Sequence, residues 1–243
     1  DVTGEEDFIG GLVGLNDYGI ILESISYGNV IGMNKVGGLV GVTDHGSINK
    51  SIANGNVSGS QKIGGAIGEN FLTPLYGVTS FGTTTGSSNY IGGSIGWNHG
   101  SALNMAAFGK VNGLNYVGGL IGFSELGSSI SNVIAKGNVN TSQTEGDLFL
   151  ANIIGYNEGD VSTYGFIGNL NGIEGRTTYT IDNHDSCGIR VITSGVFNGC
   201  SGTNNQDLEH YDSSLITTSD SLIEILINQT PKKWGEDSLN YIN

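Results

Sequence analysis

The sequence predicts an all-β chain. The expected fold is a β-solenoid, parallel β-helix-like, of about six 27-residue repeats, with an irregular C-terminal cap containing one short helix. Three observations predict it. A glycine pair recurs at Gly10-Gly11, Gly37-Gly38, Gly64-Gly65, Gly92-Gly93 and Gly118-Gly119, at spacings of 27, 27, 28 and 26 residues. A second marker keeps the same beat at Gly28-Asn29-Val30, Gly55-Asn56-Val57, Gly82-Thr83-Thr84, Gly109-Lys110-Val111 and Gly137-Asn138-Val139. A fixed period of about 20–50 residues signals stacked repeats, each contacting its neighbours. Finally, the aligned columns hold small and β-branched residues, as in Ser26, Ala53, Ser80, Ala107 and Ala135.

Two further columns read Ile21, Ile48, Leu75, Ala102, Ile130 and Val30, Val57, Thr84, Val111, Val139. Like residues on like suit strands stacked in register about 4.8 Å apart. A helical repeat would be rich in Ala, Leu, Glu and Lys, whereas this chain of 243 residues has 42 Gly and 13% charged residues. A β-propeller is the alternative, but 27 residues fall short of a blade of about 40. The glycines are expected to mark sharp corners or backbone with φ > 0.

Residues 1–7 read as an acidic lead-in, too short to cap an open strand edge, so the chain looks like a piece of a longer protein. Repeats one and two are regular. Repeat three is expected to bulge at Phe71-Leu72-Thr73-Pro74-Leu75-Tyr76. Repeats four and five return to pattern, a longer loop follows near 140–150, and a degenerate sixth copy is Ala151-Asn152-Ile153-Ile154-Gly155. The solenoid is set at 1–170 and the cap at 171–243. In the cap, Ser219 as N-cap, the apolar spacing through Ile227 and Pro231 beyond it predict a short helix at about 219–228.

The repeated phrase resembles the GLUG motif. It is carried by Gly37-Gly38-Leu39-Val40-Gly41 with Ile48, Ser51, Ala53 and Gly55-Asn56-Val57, and again at Gly64, Gly65 and Gly68. The resemblance covers roughly residues 8–170. It implies a repeat region of large secreted or surface-anchored bacterial proteins, among them adhesin-like proteins and non-catalytic parts of some immunoglobulin-A-cleaving metallopeptidases. It transfers no catalytic residue. The expected role is a non-enzymatic extracellular module, an adhesin-like surface or rigid spacer, meeting a host or matrix protein or a glycan beside other domains of a longer parent chain. An accessory segment of a peptidase and a carbohydrate-active β-solenoid are the competing readings. The extracellular setting implied by the resemblance favours a Cys187–Cys200 disulfide, worth about 3 kcal/mol. Two free thiols, or a metal site with His184, are the alternatives.

Charge narrows the partners. The 9 basic against 23 acidic residues give a net charge of −14, which disfavours nucleic acid and anionic membrane surfaces. No apolar run reaches the roughly 18 residues of a membrane span. Motif searches for chemistry return nothing: no HExxH, GxSxG or Walker loop is present. Asp17, Asp44, Glu125 and Glu158 share one turn position, so a weak calcium site between Asp17 and Asp44 is one reading and a solvated face the other; Asn70 and Asn98 are taken to break that column. His45 and His99 read as exposed turn residues. Tyr18, Tyr90, Tyr116 and Tyr156 read as covers of strand ends, or as sugar-stacking rings. Glu174, Arg176, Asp182, His184, Asp185 and Arg190 form the one carboxylate–arginine grouping suited to glycan chemistry, with cap salt bridging as the plainer reading.

Overall fold

A computed structural model of the chain describes residues 1–142, 149–167 and 170–171. Within them the fold is a β-solenoid of about six coils, and every strand pairing is parallel. Coil two shows the plan, with strands at Asn34–Gly37, Val40–Asp44, Ser47–Asn49, Ile52–Ala53 and Val57–Gly59. The first two strands belong to two six-stranded sheets, here sheets I and II. The third and fourth belong to a ten-stranded sheet III, and the fifth to a seven-stranded sheet IV. Sheet III runs through two strand positions because coil five makes one unbroken strand, Ser129–Lys136, where earlier coils make two.

The expected columns stack in register. Ile48 pairs with Ile21 and Leu75, Ala102 with Leu75 and Ile130, and Ala53 with Ser26 and Ser80. Inward apolar side chains make two separate cores. Val30, Val57, Val111 and Val139 lie with Val36, Ile63, Ile91, Val117 and Leu150 between sheets I and IV. The larger core, between sheets II and III, holds Leu39, Ile48, Ile67, Leu75, Ile95, Leu120 and Ile121.

The glycine pair explains why there are two cores. A Cβ on Gly38 would lie 2.2 Å from the Gly65 carbonyl oxygen and 2.9 Å from the Ala53 Cβ; on Gly93 the same atom would meet the Gly119 oxygen at 2.0 Å and the Ala107 Cβ at 3.0 Å. The small-residue column and the second glycine therefore pinch the coil to a waist. Ser80 Oγ donates across it to the Gly93 carbonyl at 2.7 Å. A branched side chain on either wall would force the walls apart.

The glycines correct the sequence expectation. Among the described residues, positive φ falls on Gly77, Gly127 and Gly137, outside the glycine triplets of the repeat. Those triplets serve close backbone approach. The left-handed positions form three columns of mostly non-glycine residues: Phe8, Lys35, Lys62, Tyr90, Tyr116; Tyr18, His45, Leu72; and Glu23, Lys50, Gly77, Asn104, Asn132, with φ between 46° and 67°. Such backbone is disfavoured for L-residues. Stacking offsets the cost, because the left-handed residues keep the ladder intact: Tyr18 N–H donates to Asp44 O at 2.9 Å, and Lys50 N–H to Tyr76 O at 2.8 Å.

Three other expectations change. Repeat three does not bulge: Leu75 is buried in register, and Pro74 sits just before its strand, where a missing N–H is tolerated. Residues 1–7 are more than a lead-in, since Val2–Thr3 pairs with Val30–Ile31 as the terminal strand of sheet IV. Asn70 and Asn98 do not interrupt the acidic column. They face inward in a buried polar column with Asn16, Thr43, Ser124 and Asn157. There Asn70 Nδ2 donates to Asn98 Oδ1 at 2.8 Å and to Thr73 O at 3.0 Å, so each corner is pinned to its own coil and the next. The helix at 219–228, the Cys187–Cys200 pairing and the 174–190 grouping lie outside the described residues.

Candidate functional site

The outer face of sheet II gathers the outward side chains of the repeat most able to meet a ligand. Its strands run Val13–Asp17, Val40–Asp44, Ile67–Phe71, Ile95–His99, Ile121–Ser124 and Ile154–Asn157. After the third glycine the side chains alternate, outward at Leu15 and Asp17 and inward at Asn16 in the first strand, so two outward columns result. One, directly after the third motif glycine, reads Leu15, Val42, Glu69, Trp97, Phe123, Tyr156. The other reads Asp17, Asp44, Phe71, His99, then Glu125 and Glu158 at the strand ends. The left-handed column Phe8, Lys35, Lys62, Tyr90, Tyr116 borders the first.

The third motif glycine shapes this face. A Cβ on Gly41 would lie 2.6 Å from the Phe8 backbone of the preceding coil, and one on Gly68 would lie 2.5 Å from that of Lys35. The left-handed residue of one coil thus crosses over the glycine of the next. Side chains from its two flanks then close over the strip.

In coils four to six that closure is aromatic. Tyr90 and Trp97 lie 4.8 Å apart between ring centres, Trp97 and Phe123 5.1 Å, and Tyr90 and Tyr116 4.9 Å. Phe149 stacks on Tyr116 at 4.7 Å and Tyr156 on Phe123 at 5.6 Å. Lys62 places its ammonium 3.7 Å from the Trp97 ring centre. It also binds Glu69 at 2.6 Å, and Lys35 binds the same carboxylate at 2.9 Å. Burial pushes the Glu69 carboxyl up, but the hydrogen bonds and charges of Lys62 and Lys35 outweigh it and hold it below its ordinary value.

A second ridge runs along the neighbouring corner. Tyr18 stacks on His45 at 5.2 Å, Phe71 stands edge-on to His45 at 5.9 Å, and His99 stands at 85° to Phe71 at 5.2 Å. Tyr18 is 72% exposed and Phe71 40%. Carboxylates line this ridge: Asp44 pairs with His45, and Glu125 accepts from both His99 Nδ1 and Trp97 Nε1 at 3.1 Å. Glu125 therefore ties the corner ridge to the aromatic strip.

Of the sequence candidates, Tyr90, Tyr116 and Tyr156 come together, while Tyr18 stands apart on the corner ridge with His45 and His99. Asp17 and Asp44 are neighbours in register, but among the described residues no three His, Cys, Asp or Glu side chains group as metal ligands. Trp97, Phe123 and Phe149 were missed, while Phe71, part of the apolar stretch expected in repeat three, stands exposed on the corner ridge. The signal for two of them was present, because Trp97 and Phe123 each directly follow a third motif glycine. No protein-family model, curated protein or solved structure matches the chain.

Proposed function

We propose that the chain is a non-enzymatic extracellular repeat module, adhesin-like, whose sheet II face meets a glycan. The observation that carries this reading is the exposed ridge of Tyr18, His45 and Phe71, with Asp17, Asp44 and Glu125 beside it. Rings offer a surface to the apolar C–H groups of a sugar, and carboxylates accept from its hydroxyls. Coils stacked about 4.8 Å apart repeat that offer along an extended chain, so weak contacts add up. The acidic balance of the protein favours a neutral over an anionic glycan. The GLUG resemblance supports a secreted or surface setting in a longer bacterial protein.

The test is retention of the protein on a panel of neutral polysaccharides, with Tyr18→Ala and Phe71→Ala as variants. Retention should fall about tenfold for each, the loss of one stacking contact of about 1.4 kcal/mol; Tyr18 is 72% exposed, so Tyr18→Ala should leave the thermal midpoint unchanged, whereas Phe71→Ala also loses its contacts to His45 and His99 and should lower it slightly. Failure of the unaltered protein to bind any glycan, or equal retention of the variants, overturns the reading.

A further inference from the structure

After Met33, the exposed large apolar side chains among the described residues are Phe71, Leu72 and Leu126, at 40%, 47% and 69%. All three stand at the corner between sheets II and III, on or beside the ridge that holds Tyr18 and His45. Apolar surface concentrated in this way marks an interaction site. Stacking on a sugar ring accounts for Phe71. It does not account for the leucines, whose branched side chains offer no flat face.

The two leucines belong to one column. The residues that directly follow Asp17, Asp44, Phe71, His99 and Glu125 are Tyr18, His45, Leu72, Gly100 and Leu126. Leu72 takes the left-handed position that Tyr18 and His45 hold in the coils before it, and its N–H donates to His99 O at 3.0 Å. Leu126 sits on a longer corner: Ile130 lies eight positions after Gly122, whereas Ala102 lies six after Gly96. Ser128 closes that corner, its N–H and Oγ donating to Glu125 O at 3.1 and 2.6 Å. A Cβ on Gly127 would meet nothing within 4 Å, so the corner stands clear of the solenoid. Over coils three, four and five the column therefore alternates leucine, glycine, leucine. A carboxylate accompanies each leucine. Asp44 pairs in register with Phe71 beside Leu72, and Glu125 directly precedes Leu126; their side chains are 37% and 36% exposed.

Two coils rise about 10 Å, so one coil is close in height to one pyranose unit of an extended chain. In a ribbon-like β-linked chain successive units turn over, and a substituent on one ring carbon returns to the same side at every second unit. Leu72 and Leu126 recur at every second coil. A substituent that suits both places needs an apolar end for the leucine and an N–H for the carboxylate. The acetamido group has both and is uncharged. Resting on the glycan reading above, we infer that the ridge selects β-linked N-acetylated hexosamine chains, with alternate acetamido groups seated at Leu72 and Leu126. The methyl covers the leucine, the amide N–H donates to Asp44 or Glu125, and the acetamido group between them turns away over Gly100. A hydroxyl on the same carbon leaves both leucines bare, and a free amine satisfies the carboxylates alone.

Calorimetric titration of the full chain with three oligosaccharides of equal length and linkage separates these cases. One is a chito-oligosaccharide carrying acetamido groups, one the cello-oligosaccharide with hydroxyls in their place, and one the deacetylated chito-oligosaccharide with amines. The acetylated chain should bind about tenfold more tightly than the cello chain. Leu72→Asn, whose side chain tolerates left-handed backbone, and Leu126→Ser should each cut that preference about threefold and leave the cello affinity and the thermal midpoint unchanged. Tyr18→Ala should lower both affinities alike. Equal affinity for the acetylated and cello chains, or an undiminished preference in both leucine variants, overturns the inference and leaves the glycan reading standing. Tightest binding of the amine form assigns the ridge to its carboxylates alone and overturns it too. So does the absence of binding to all three, and retention on the neutral polysaccharide panel then decides the glycan reading separately.

Discussion

Coils two and three cover the outer strip of sheet II with ions, and coils four to six cover it with rings. The backbone beneath is the same: the bordering residue is left-handed throughout, at Lys35, Lys62, Tyr90 and Tyr116, and the third glycine accepts it each time. In one stretch Lys35 and Lys62 close on Glu69. In the other Tyr90, Trp97, Tyr116, Phe123, Phe149 and Tyr156 close on one another. The solenoid therefore asks for coverage of the strip and leaves its chemistry free. Lys62 is the junction, since its ammonium serves Glu69 on one side and the Trp97 ring on the other.

The two solutions should fail differently. Trp97→Ala removes ring contacts to Tyr90 and Phe123, the Lys62 contact and the bond to Glu125, and should cost about 3 kcal/mol in denaturant unfolding. Glu69→Gln leaves two half-buried ammonium groups without their carboxylate and should cost about 1–2 kcal/mol in the same measurement. Acid should then separate the halves. The Glu69 carboxyl is held below its ordinary value, so its contribution is present above the unfolded-state carboxylate value and is lost as pH falls through the lower folded value. Amide exchange should quicken around Lys35, Lys62 and Glu69 in that acid window, and Tyr116 and Phe123 should lag behind. The smallest change is expected of Lys62→Tyr/Glu69→Trp, which extends the rings by one coil. Stability at neutral pH should stay within about 1 kcal/mol, and the local acid sensitivity should disappear. A large loss there would show that the strip does select its chemistry.

Part of this face was legible in the sequence. The third glycines can be counted directly, and the residues after them name one outer column. The contacts of Lys62 with Trp97 and of Lys35 with Glu69 were not legible, because they join residues 35 and 34 apart that meet only when coils stack. The acidic column was misread by one position. Counted from the third glycine, Asn70 and Asn98 stand two residues on where Asp17, Asp44, Glu125 and Glu158 stand three on, so that offset was countable; the structure adds that the asparagines point inward while Phe71 and His99 point out.

The sequence by itself determined the period, the parallel stacking and the inward columns at Ile48, Ala53 and Val57, because a repeat long enough to show its beat fixes register. The tertiary structure decided why the glycines are there. A glycine that yields to a neighbour's carbonyl reads the same in sequence as one that allows a left-handed turn, and the two differ only once the adjoining coil is in place. Stacking likewise decided that Tyr18, His45 and Lys50 hold left-handed positions, since the inter-coil hydrogen bonds that offset their backbone cost do not exist in a single coil.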